Sequence, residues 1–125
     1  MNILKSIENA EKIIEQYIEY ANIEGQSKLD GDYKIGNKMS KKLSKLDSYL
    51  EENNDLAKIV LKELLKSNSI RARTLAAVES LRLNMYVEES LKVLEEIVEN
   101  KELGILSLGA EISLEIWKEK GLLEP

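Results

Sequence analysis

Proline occurs once in this chain of 125 residues, and it is the last one, Pro125. Everything before it lacks the residue that most reliably interrupts a helix. Leu, Ile, Glu and Lys dominate, and the apolar residues recur at steps of three and four, so an all-α protein is expected. With 43% hydrophobic and 33% charged residues there is material for a core and for a solvated surface, and the length suits one domain, 1–125.

The spacing predicts six helices. In residues 2–24 the apolar row is Ile3, Ile7, Ala10, Ile14, Tyr17, Ile18 and Ala21, closed by Gly25 and followed by GQSKLDG as a loop. A second helix starts at Asp30 or Asp32 with the row Tyr33, Gly36, Met39, Leu43, Leu46 and Leu50. Gly36 lies on that row. It marks either a close approach to the first helix or a break, with the helix beginning at Asn37. Asn54 can cap a third helix bearing Leu56, Ile59, Val60, Leu64 and Leu65. After SNS at 67–69, a fourth runs from Ile70 to Leu83. Past NMYV, a fifth presents Val87, Leu91, Leu94, Ile97 and Val98. Past NKELG, a sixth carries Ile105, Leu108, Ile112, Ile116 and Trp117, and Gly121 stops it. Trp117 reads as core or as a lid on the end of the stack, or else as an interface anchor.

The fourth helix is unusual. Ile70, Thr74, Ala77 and Leu81 form one row, Leu75 and Val78 widen it, and Ala72 and Ala76 continue it around the circumference. A helix that is small or apolar on most sides packs among others, so this one is expected inside, against the third, fifth and sixth. Helices three and four, then five and six, repeat at an offset of about 33 to 35 residues. The architecture expected is a short right-handed HEAT-like α-α superhelix, with residues 1–53 as an antiparallel hairpin at one end and 54–125 as two HEAT-like helix pairs.

The segments GDYKIGNKMSKKL, SNSIRARTLAAVESL and VLEEIVENKELGILSLGAEISLEIWKEKG make the chain similar, over about residues 10 to 122, to a family of small bacterial proteins catalogued as domain of unknown function 2019. The resemblance implies a HEAT-like helical fold and brings no activity with it.

The chain contains no histidine and no cysteine. This excludes the usual catalytic triads, thiolate metal sites, disulfides and Glu-x-x-His di-iron motifs. No glycine-rich phosphate loop occurs, and no cofactor is expected. Carboxylates remain. Glu95, Glu96, Glu99 and Glu102 cluster late in helix five, and Glu111, Glu115 and Glu119 recur along helix six, but on amphipathic helices such rows are ordinarily solvated. An enzyme using carboxylates alone would need glutamates converging in a pocket with raised pKa.

Charge is uneven. The net is −5, made of two basic against five acidic groups in residues 1–27, eleven against seven in 28–75, and five against eleven in 76–125. An acidic chain is a poor candidate for nonspecific nucleic-acid binding. Arg71 and Arg82 fall on nearly one helix face. They serve either to bond carboxylates and carbonyls within the fold, or, with Glu79, as a concave binding surface for an acidic partner. Lys38, Lys41, Lys42 and Lys45 are either a solvated face or a second contact surface.

The functional expectation is a non-catalytic binder of a protein partner, and more specifically an immunity- or antitoxin-like inhibitor that captures a basic toxin. The alternative is a nucleic-acid-associated module using Lys38, Lys41, Lys42, Lys45, Arg71 and Arg73. A homodimer through the apolar rows of helices one and six is a further option. The opening MNILKSIENAEKI carries glutamates too early for a secretion signal, and no apolar run approaches the ~20 residues of a membrane span, so a cytoplasmic location is expected.

Overall fold

The computed structural model describes residues 3–121, with side chains from Ile7 onward. Ile3, placed in the first apolar row, therefore has its side chain outside the described residues. The elements are α1 (Ile3–Asp30), α2 (Tyr33–Glu52), α3 (Asn54–Leu64), α4 (Ile70–Arg82), α5 (Val87–Glu99), a 3-10 segment (Lys101–Ser107) bent at Gly104, and α6 (Leu108–Lys120). The fold is all-α, as the periodicity predicts.

α1 is longer than expected. Gly25 does not end it but lies inside it and is buried, because the stem of Arg71 crosses its surface. A Cβ on Gly25 would stand 3.2 Å from Arg71 Cγ. The helix ends instead at Gly31, whose φ of 72° allows Asp32 N–H to reach back to Ser27 O at 2.9 Å. Asp32 then caps α2, its Oδ1 accepting from Ile35 N–H. Gly36 is the predicted close approach: a Cβ there would lie 2.8 Å from Ser27 Oγ on α1. Ser27 faces Gly36 and Tyr17 hydrogen-bonds Asp47, so the two helices run antiparallel.

The buried row of α1 is Ala10, Ile13, Tyr17 and Ala21, continued by Glu24 and Ser27. It is turned slightly from the predicted one: Ile14 and Ile18 are half-buried and Ile7 is exposed. On α2, Met39, Leu43 and Leu50 are buried while Tyr33 is exposed. α3 starts after Asn53, one residue before the predicted cap, and buries Ala57, Val60, Leu61 and Leu64, leaving Ile59 outside.

Around α4 the sequence expectation holds. From Ser69 to Leu83 no residue is exposed, and Ala72, Ala76 and Ala77 are fully covered. It packs on α3, α5 and α6 as expected, and also on α1, which the sequence pattern did not name. Its most extensive contact is with α5. Ser69 Oγ caps it by accepting from Ala72 N–H, and donates to Asn22 on α1 at 2.5 Å. Asn84 takes the left-handed conformation at its end, with Met85 N–H bonded to Ser80 O. Tyr86 O–H then ties the turn to Lys58 O on α3. Ala76→Leu should overfill this interior and lower stability by roughly 1–3 kcal/mol. Urea unfolding would check it, and an unchanged midpoint would contradict the enclosure of α4.

α6 departs furthest from expectation. Its inward residues are Ala110 and Leu114, with Trp117 half-buried against the core. The predicted row faces outward: Ile105, which belongs to the 3-10 segment, and Leu108, Ile112 and Ile116 are 56, 51, 47 and 36% exposed. This helix carries apolar residues on two faces, so periodicity could not say which face meets α4 and α5. The small Ala110 permits the closer approach. Gly121, with φ 69°, terminates α6, its N–H bonded to Trp117 O at 2.7 Å.

Candidate functional site

Two regions collect the unusual chemistry. The first is a polar groove of about 280 Å³ between α1, α2 and α4. It exists because each of three apolar faces carries charged residues in helical register. On α1, Glu24 continues the buried row Tyr17–Ala21. On α2, Asp47 follows Leu43 by one turn. On α4, eleven residues bring Arg71 and Arg82 to one side, with Glu79 between them.

Inside the groove the pairing is dense. Arg71 grips Glu24 with Nε at 3.1 Å from Oε1 and Nη2 at 2.8 Å from Oε2, both side chains nearly buried. This two-pronged geometry is the stronger form of the ion pair. Arg82 divides itself, donating through Nη1 to Glu79 Oε2 at 2.9 Å and through Nη2 to Glu51 Oε1 at 3.0 Å. Tyr17 O–H donates to Asp47 Oδ1 at 3.1 Å. Glu79 is the most deeply set of the carboxylates, at 1% exposure, and its Oε1 has no hydrogen-bond partner.

Crowding carboxylates out of water makes them hold protons. Burial, then the charge of Asp47 and the contact with Glu51, pushes the Glu79 carboxyl up to about 8. Burial likewise pushes Asp47 up to about 6, against the opposing pull of the Tyr17 hydrogen bond and of Arg82. The Tyr17 hydroxyl is raised well above its ordinary value by burial and then by Asp47.

The structure thus brings Arg71, Glu79 and Arg82 into one place and pairs both arginines with the chain's own carboxylates. Lys38, Lys42 and Lys45 lie elsewhere, exposed along α2, with Lys42 Nζ 5.0 Å from the centre of the Tyr20 ring. Arg73 Nη1 bonds Ser67 O at 3.3 Å. The glutamates of α5 and α6 are exposed, and among the described residues no group of three or more carboxylates could hold a metal ion. A convergence of carboxylates in a pocket does occur, built from Glu24, Asp47 and Glu79 rather than from those rows. Sequence reasoning missed Tyr17 as a polar partner, and Glu24, Asp47 and Glu51 altogether. The available signal was a charged residue standing in register on an otherwise apolar row, as Glu24 and Asp47 do.

The second region is the outer stripe of α6, Leu108, Ile112 and Ile116. Glu111 and Glu115 border it on one side, and Glu119 lies within its arc. Three large exposed aliphatic side chains at four-residue steps on one helix form the kind of patch that marks an interaction surface, while Ile105, in the 3-10 segment, lines the cleft beside α1 and α2. No described helix is long and apolar enough to cross a membrane. The sequence matches no family model, and no curated protein or solved structure matches the chain.

Proposed function

We propose that this chain is a non-catalytic protein-binding protein that docks a basic amphipathic segment of a partner on the outer stripe of α6. The observation that carries this reading is the row Leu108, Ile112 and Ile116, left in water beside Glu111, Glu115 and Glu119. An apolar groove partner with a basic flank is complementary to it in both properties. The excess of acidic groups, eleven against five over residues 76–125, steers the same kind of partner. An immunity- or antitoxin-like inhibitor of a basic toxin, in the bacterial cytoplasm, is the finer form of the proposal. The HEAT-like kinship belongs to it too, supported by the succession of short helix pairs α3–α4 and α5–α6.

Ile112→Asp should abolish capture of a basic protein from a native lysate while leaving the helical circular-dichroism spectrum intact. Charge reversal at Glu111 and Glu115 should weaken capture and flatten its loss with salt. Capture indifferent to Ile112→Asp would remove the stripe from the function. A wild-type dimer in sedimentation that Ile112→Asp dissociates would assign the stripe to a second copy of the chain instead.

A second reading has one observation behind it: Lys34, Lys38, Lys41, Lys42 and Lys45 share one exposed side of α2. A nucleic-acid-associated module would show steeply salt-dependent binding lost on neutralising these lysines.

A further inference from the structure

Every ion pair among the described residues is made by Arg71 or Arg82, and no lysine there stands within salt-bridge distance of a carboxylate. Two surface rows of opposite sign are left uncompensated. On α2, Lys34, Lys38, Lys41 and Lys45 are exposed and follow one another at steps of four, three and four residues, opposite the buried Met39, Leu43 and Leu50. On α5, Glu88, Glu95 and Glu99 take the first, third and fourth places of a row with the same steps, opposite the buried Ser90, Leu94 and Ile97. Lys92 holds the second place and the exposed Glu89 and Glu96 flank the row, so α5 meets water with five acids and one base. Each row is about 16 Å long at the rise of an α-helix. The rows do not neutralise one another inside one molecule, because α2 packs on α1 and α3, whereas α5 packs on α4, α6 and the 3-10 segment.

The geometry points to the lysine row of α2 as a docking surface for the α5 row of a second copy of this chain. Length, spacing and sign all agree. Two rows of equal spacing let several pairs form together, and it is as networks that exposed ion pairs gain strength. The contact joins two different surfaces, so its free ends either close into a ring or extend into a chain. It uses neither the α6 stripe nor the groove between α1, α2 and α4, and so stands apart from the partner proposed for α6. A second copy is favoured over a polyanion because the chain has a net charge of −5. Its glutamates repel a long polyanion, whereas a second copy brings those same glutamates to the lysines.

The test is sedimentation velocity of the full chain over a range of concentrations at about 20 mM and about 0.3 M salt, between which the Debye length falls from about 20 Å to about 6 Å. Wild type is expected to grow beyond the monomer with concentration at low salt and to return to the monomer at high salt. Reversing the lysine row (Lys38→Glu, Lys41→Glu and Lys45→Glu together) should leave a monomer at low salt. Reversing the glutamate row (Glu88→Lys, Glu95→Lys and Glu99→Lys together) should do the same. Mixing the two variants should restore association, since each supplies the row that the other lacks. A chain carrying both reversals should associate as well, and its net charge is again −5. All six positions are exposed, so the helical circular-dichroism spectrum should be unchanged in every variant. Ile112→Asp should leave self-association untouched. A wild type that stays monomeric at low salt, association that survives either reversal, or a mixture and a double reversal that both stay monomeric would each overturn the assignment. Dissociation by Ile112→Asp would overturn it in favour of the α6 stripe. Low-salt binding of a short RNA or DNA duplex by a monomeric wild type, lost on reversing the lysine row, would overturn it in favour of nucleic acid.

Discussion

Arg71→Met is expected to destabilise the fold by about 3–5 kcal/mol, because it leaves the Glu24 carboxylate buried without its counterion. In a chain of this size that corresponds to a fall in melting temperature of roughly 10 °C or more. The effect is large because Arg71 is where three helices meet. It bonds Glu24 on α1 in two-pronged fashion, its stem covers Gly25, and its Nη1 lies 3.9 Å from where a Cβ on Gly109 of α6 would stand. Adding Glu24→Leu to Arg71→Met should recover most of the loss, since removing both charges leaves an apolar contact rather than an orphaned acid. Differential scanning calorimetry of the single and double variants measures both quantities. A single variant within about 1 kcal/mol of wild type, as a surface pair would give, would show that the Arg71–Glu24 pair does not join α1 to α4.

Glu79→Gln should change the pH dependence of stability more than its value at low pH. The Glu79 pKa in the fold, about 8, lies above its ordinary 4.5. In the interval between, the folded state holds a proton that the unfolded chain has released, so stability falls as pH rises through that window. Asp47 contributes in the same direction between its ordinary 3.8 and about 6. The wild-type melting temperature should therefore decline from about pH 5 to pH 8. Glutamine keeps the neutral shape without the ionisation, so the variant should melt with a flatter profile and exceed wild type at pH 8. A melting profile of wild type that is level or rising from pH 5 to pH 8 would mean that these carboxyls are solvated.

Much of the helical framework could be read from the chain. The cap at Asp32, the turn at 67–69 and the stop at Gly121 all depend on residues within a turn or two, where side-chain geometry and backbone sterics act locally. The enclosure of α4 was legible for a similar reason: a helix with apolar or small residues on most sides has no face to give to water.

The failures share a different origin. Gly25 looks like a helix stop by itself and is a helix interior because Arg71, 46 residues later, lays its stem across it. The groove was legible only in part. Arg71, Glu79 and Arg82 share a face by spacing alone, but nothing local announces that Glu24 and Asp47 will meet them. On α6 two apolar rows competed, and of the one chosen as core only Trp117 packs inward while Leu108, Ile112 and Ile116 are left outside.

The chain by itself therefore determined an all-helical fold and the place of α4 within it, since helix formation and burial of a uniformly apolar rod are decided by neighbours along the sequence. Only the packing of α1, α2 and α4 decided where the carboxylates meet and which protons they keep. Burial and the distances between charges belong to residues tens of positions apart, and it is these that set an acid's affinity for its proton.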